Sequence, residues 1–143
     1  MTIEEIKSIL PHREPMLLVD RIIERGEDKI VCEKDFHADE FFFQGHYPDF
    51  PIVPGVILCE CAAQSGAILL SKYIETDSDT VPVLTRMKDI KFKRMVRPGE
   101  TIRVSATLDD KMLNAYFLSA TVMVGDELAA RVSYACSLAP RGK

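Results

Sequence analysis

The sequence predicts an α+β domain in which a curved antiparallel sheet of about six strands wraps round one long central helix. Three observations carry this. Only one stretch, from Gly55 to about Tyr73, is long and apolar enough to be a core helix. The second half of the chain is a succession of alternating apolar and polar segments, the signature of half-buried strands. The joints between those segments are short turns, and short turns connect antiparallel neighbours. At 143 residues, 47% hydrophobic and 28% charged, the chain is expected to form a single domain over residues 1–143.

The elements follow in order. Thr2 can cap a short helix through Leu10, with Glu5 completing a capping box, and Pro11 ends it. Met16–Glu24 is rich in branched apolar residues and reads as a strand. Gly26, Glu27 and Asp28 turn the chain into a returning strand, Lys29–Phe36. From His37 to Pro54 an irregular segment is expected. Prolines at 48, 51 and 54 forbid a helix or an inner strand there.

Pro54 suits the first turn of a helix, where a missing N–H is harmless. The helix that follows runs for roughly 28 Å at 1.5 Å per residue. Its apolar residues are not confined to one stripe, so it should be buried nearly all round. Strands are then expected at Pro82–Val96, Thr101–Leu108, Ala115–Val124 and Leu128–Leu138. One open sheet cannot cover such a helix on every side, so a second subunit is expected to cover the rest.

Composition excludes several classes. A net charge of −4 argues against nucleic acid as a partner, because phosphate binding needs a basic face. Ile52–Leu70 has about the length of a membrane span but contains Pro54, Glu60 and Gln64, so a buried helix is expected rather than a membrane one. The opening MTIEEIKSIL has no long apolar core, and a cytoplasmic location is expected. Cys32, Cys59, Cys61 and Cys136 form no CxxC pair and read as buried thiols, with no metal site and no cofactor expected.

Chemistry concentrates in FQGHYPDFPIVPGVILCECAAQ, Phe43–Gln64. His46 reads either as a loop histidine bonded to backbone or as a general base, since imidazole titrates near pH 6.5. Glu60 is a carboxylate in an apolar helix, with Gln64 its one polar neighbour along that helix. Desolvation without a cation would keep it protonated and make it a general acid. The alternative is a carboxylate that faces solvent or pairs with a distant arginine. The unpaired N–H groups of Gly55 and Val56 at the helix start offer a site for a developing oxyanion. A base, an acid and an oxyanion site suit dehydration of a 3-hydroxyacyl thioester. His12 and His37 lie far from this segment in sequence, and His12 reads as structural.

LPHREPMLLVDRI (Leu10–Ile22), FFQGHYPDFPIVPGVILCECAAQ (Phe42–Gln64) and KFKRMVRPGE (Lys91–Glu100) together resemble the (3R)-hydroxyacyl-[acyl-carrier-protein] dehydratases of type II fatty acid synthesis, a hot-dog fold family. The resemblance implies that His46 and Glu60 are the catalytic pair and that Gly55 N–H meets the thioester carbonyl. It implies that Gln64 lies beside the carboxylate, with Val56 and Tyr47 also near the substrate. It further implies a homo-oligomer, a dimer or a trimer of dimers, with the histidine and carboxylate of one site coming from different chains. Glutamate at 60 points to the dehydratase without isomerase activity. Tyr47, Val53 and Cys61 depart from the family's usual phenylalanine, methionine and alanine, which bears on substrate preference.

The implied partner is an acyl carrier protein, itself acidic. Arg86, Lys88, Lys91, Lys93, Arg94 and Arg97 are six cations in twelve residues. Of these Lys91, Lys93, Arg94 and Arg97 are the expected carrier-binding set, against the alternative of an ordinary solvated strand face. A hot-dog acyl thioesterase and a non-catalytic acyl-chain binding subunit remain as rival functions. The motifs leave acyl-chain length open, and also whether the pathway is housekeeping or a specialised lipid or polyene one.

Overall fold

The computed structural model describes residues 2–74 and 79–140. Helix α1 spans Ile3–Ile9, and its Thr2–Glu5 capping box is formed as expected. Strands β1 (Arg21–Arg25) and β2 (Lys29–Asp35) make a hairpin. Helix α2 (Phe41–Gly45) and helix α3 (Gly55–Leu70) follow. The chain then runs through β3 (Thr80–Phe92), β4 (Thr101–Met112), β5 (Ala115–Val124) and β6 (Glu127–Pro140). All strand pairs are antiparallel, in the order β1-β2-β4-β5-β6-β3.

The inward residues of β4 (Ile102, Val104, Ala106) and β5 (Tyr116, Leu118, Ala120, Val122) alternate as the sequence predicts. With Leu58, Ile68, Leu69 and Leu70 of α3 they form one core. A sheet wrapped round α3 is the hot-dog arrangement. The apolar stretch Gly55–Tyr73 is 67% buried inside this fold, as a core helix should be. Gly66 lies where α3 crosses β6. A Cβ there would meet the ring of Tyr134 at 3.0 Å and Leu118 at 3.1 Å, so only glycine lets the helix approach so closely.

Two expectations need correction. The apolar run from Met16 joins the sheet ladder only at Arg21. Leu17, Leu18 and Val19 are buried, but Leu18 N–H and Met16 O bond to the Gln64 side chain of α3 rather than to a strand. Their pattern reflects packing on the helix. The segment 37–54 is also not wholly irregular, because α2 lies ahead of its first proline. Phenylalanine is an ordinary helix former, and a one-turn helix has little stability of its own. Burial of Phe42 and Phe43, with Phe42 edge-on to Phe36 at 5.9 Å, holds it in place.

Helix α3 is open along one stripe in the single chain, as expected of a helix that one open sheet cannot cover on every side. Val56 is 74% exposed, and Glu60 and Ala63 are half-buried.

Candidate active site

Helix α2 delivers His46 as its C-cap. The N-terminus of α2 is anchored by Glu40, which accepts from His37 N–H at 2.9 Å and pairs with buried Lys34 at 2.9 Å. The His46 ring stands against the Tyr47 ring at 4.6 Å, and its Nδ1 lies 3.0 Å from Ile52 O. A carbonyl can only accept, so Nδ1 carries the hydrogen and Nε2 presents its lone pair. Tyr47 itself is 61% exposed and has φ +54°.

The chain from His46 to α3 is tied down by Val53 N–H donating to Val96 O at 2.7 Å. Pro54 is the N-cap rather than the first helical residue. Among the described residues no protein acceptor takes the N–H of Gly55 or Val56. These groups open on a cleft of about 610 Å³ lined by Ile52, Gly55, Val56, Phe92, Lys93 and Met95, among others. Gly55 is packed directly on Phe92, since a Cβ would lie 2.7 Å from the ring tip.

Glu60 stands on the open stripe of α3, its side chain 30% exposed in one chain. The helix therefore does not bury it fully, contrary to the sequence expectation. Gln64 Nε2 donates to Glu60 Oε2 at 2.9 Å and to Met16 O at 2.6 Å, while Gln64 Oε1 accepts from Leu18 N–H at 2.8 Å. Gln64 is thus a fully bonded buried amide whose one free direction is spent on Glu60. The carboxyl also borders a cavity of about 230 Å³ lined by Ala63, Ala67, Val83, Leu84 and Cys136. Burial pushes the Cys136 thiol up to about 11.

His46 does not line that cavity, and no hydrogen bond links it to Glu60. Within one chain His46 is bonded to Ile52, a lining residue of the first cleft, while Glu60 lines the second.

Residues 22–127 match the ApeI-like family, the ApeI dehydratases. Among curated proteins, the 3-hydroxyacyl-[acyl-carrier-protein] dehydratase FabZ of Petrotoga mobilis is 40% identical over 131 residues, 92% of this chain and 93% of that protein. The same enzyme of Clostridium perfringens strain SM101 is 42% identical over 129 residues, 90% of this chain and 92% of that one. The chain belongs to the FabZ-like 3-hydroxyacyl-[acyl-carrier-protein] dehydratase family. A solved structure described as the dehydratase heterocomplex ApeI:P of Xenorhabdus doucetiae shares the fold with a TM-score of 0.80 at 15% identity, covering 96% of this chain and 91% of that one.

In this family member the expected carrier-binding residues are unequal. Lys91, Lys93 and Arg97 are exposed, with Arg97 stacked over Phe50 at 5.6 Å. Arg94 is bound to both carboxylate oxygens of Glu100, at 3.0 and 2.7 Å, and lies 3.4 Å from Glu127. Hydrogen bonding to Glu100 holds its guanidinium above its ordinary value. Bulges between Leu84 and Arg86 and between Lys88 and Lys91 break the alternation that would put the cations on one face.

Sequence reasoning missed one neighbour. His12, read as structural, has its Nε2 3.6 Å from Glu60 Oε2. No short-range pattern could have found it, since the turn after α1 meets α3 only through the tertiary fold.

Proposed function

We propose that this chain dehydrates (3R)-3-hydroxyacyl-[acyl-carrier-protein] to the trans-2-enoyl thioester, serving fatty acid synthesis in the cytoplasm. The observation that carries the reading is the orientation of His46. Its Nδ1–H is spent on Ile52 O, which leaves a basic Nε2, and Ile52 lines the same cleft as the free N–H of Gly55. Nε2 takes the α-proton, and the C–H electrons flow toward the thioester carbonyl. Gly55 N–H holds the negative charge on that oxygen at the positive end of α3. The double bond forms between C2 and C3 as the C3–O bond breaks. Glu60 supplies the proton with which the hydroxyl leaves as water. Proton exchange with solvent resets both groups.

Because neither a hydrogen bond nor a common cleft joins His46 to Glu60 within one chain, the working site is assigned to two chains. The surface for a second copy has two parts. The stripe Val56–Glu60–Ala63 of α3 is uncovered. Strand β3, thirteen residues long, lies at the sheet edge with Val83, Leu84, Ile90 and Phe92 exposed. Long exposed apolar edges demand a partner. A trimer of dimers is the further assembly that the resemblance implies, and light scattering would distinguish it from a dimer. For the acidic carrier protein, Lys91, Lys93 and Arg97 offer free charge beside the Gly55 cleft, with Arg94 bracing the segment.

The test is turnover of 3-hydroxyacyl carrier thioesters of several lengths, followed at the enoyl-thioester band with a thiol-trapping dye in parallel. The enoyl band should rise without thiol release. H46A and E60Q should each abolish it with the fold intact by circular dichroism. Thiol release without enoyl absorbance would assign a thioesterase instead, and binding without either would assign an acyl-chain carrier.

A further inference from the structure

His12 has an environment that a structural surface histidine does not need. Its Nδ1 is buried and has no hydrogen-bond partner among the described residues. Its Nε2 faces Glu60 Oε2 at 3.6 Å, the same oxygen that accepts from Gln64. Of the residues lining their shared cavity, Glu60 is the one whose side chain is a carboxylate, arginine or lysine. Gln64 is in turn fixed by the backbone of Met16 and Leu18. The segment that follows α1 therefore approaches the carboxyl twice, once through the imidazole and once through the amide it anchors.

We propose that His12 is a positioning residue for Glu60, donating from Nε2 to Oε2 so that Oε1 is left to carry the transferable proton. An oxygen that receives two N–H donors has no room for a hydrogen of its own, so two donors on Oε2 decide which oxygen faces the substrate hydroxyl. The tautomer follows from burial. With the hydrogen on Nε2, Nδ1 keeps a lone pair. With the hydrogen on Nδ1, a buried N–H would have no acceptor, the costlier state. The present gap is about 0.6 Å beyond a normal N–H···O bond. Contacts of this kind tighten when the substrate complex forms.

The inference rests on Glu60 being the acid, and the experiment separates the two claims. Wild type, H12F, H12Q and E60Q are compared as full-length enzyme on a 3-hydroxyacyl carrier thioester, with melting temperatures measured alongside. Loss of one hydrogen bond between neutral groups predicts that H12F lowers kcat by about threefold to tenfold with KM unchanged. H12Q, whose amide places an N–H near the former Nε2, should recover most of that loss. A purely structural role would lower the melting temperature without this split or rescue. Wild-type kcat in H12F, a shift in KM alone, or H12Q as slow as H12F at equal melting temperature would each overturn the role of His12. A dead E60Q beside an unaffected H12F sinks His12 alone, whereas an active E60Q removes the acid and the positioning role together.

Discussion

Glu60 draws attention in the sequence because a carboxylate interrupts an apolar run, and the structure gives the reason a different form. The side chain is held by a buried glutamine on the face of α3 that one chain leaves uncovered. The residue type and the Gln64 contact, one helical turn away, are readable from spacing. The His12 contact is not, because it depends on where the turn after α1 lands. Other residues act only on stability. Asp35 binds both terminal nitrogens of Arg21 at 2.8 and 2.7 Å and accepts from Thr101 Oγ1 at 2.7 Å. These bonds, the Arg21 bond first, hold its carboxyl below the ordinary range. A depressed carboxyl contributes stability above its unfolded value, near pH 4, and loses it as the pH falls through the folded value. Asp35 is 35% exposed, so screening limits the effect to less than about 1 kcal/mol. Urea melts of wild type and D35N should differ most above about pH 5 and converge in strong acid. A gap that widened toward acid would contradict the assignment.

At the scale of elements, α3 carries two glycines with opposite demands. Gly66 is packed on Tyr134, a fully buried ring whose hydroxyl donates to Ala62 O at 2.8 Å. An added methyl overpacks the core at a cost of about 1–3 kcal/mol, which exceeds the ~1 kcal/mol that alanine gains in helix propensity. G66A should therefore lower the melting temperature by several degrees. Gly55 touches only the tip of Phe92, which is half exposed and can swing aside. G55A should melt near wild type yet lose about tenfold or more in kcat/KM, as the methyl and the displaced ring crowd the N–H. Thermal melts and steady-state kinetics on both variants check this contrast, and equal loss of stability in the two would refute it. Helix α3 was legible as a long apolar run without an interior proline, and strands β4, β5 and β6 because their alternation matches their burial. Helix α2 was not, because packing of Phe42 on Phe36 creates it. The strand expected from Met16 was shortened for the converse reason, since its apolar residues serve α3.

At the scale of the whole molecule, the expectation of a second chain comes from an apolar helix too broad for one sheet. Where such a chain would dock was not legible, because β3 becomes the sheet edge only by pairing with β6 across a large span of sequence. The stripe of α3 around Glu60 and the edge of β3 are uncovered in the single chain. If a dimer completes each site with His46 from one chain and Glu60 from the other, two dead enzymes should rescue one another. In a mixed dimer the H46A chain supplies Glu60 and the E60Q chain supplies His46, so one of the two sites is intact. Random pairing makes half of the dimers mixed, which gives about a quarter of wild-type activity after co-expression or subunit exchange. Each variant alone should stay inactive at any concentration. A site built within one chain predicts no recovery on mixing, because every chain would lack one member of its own pair.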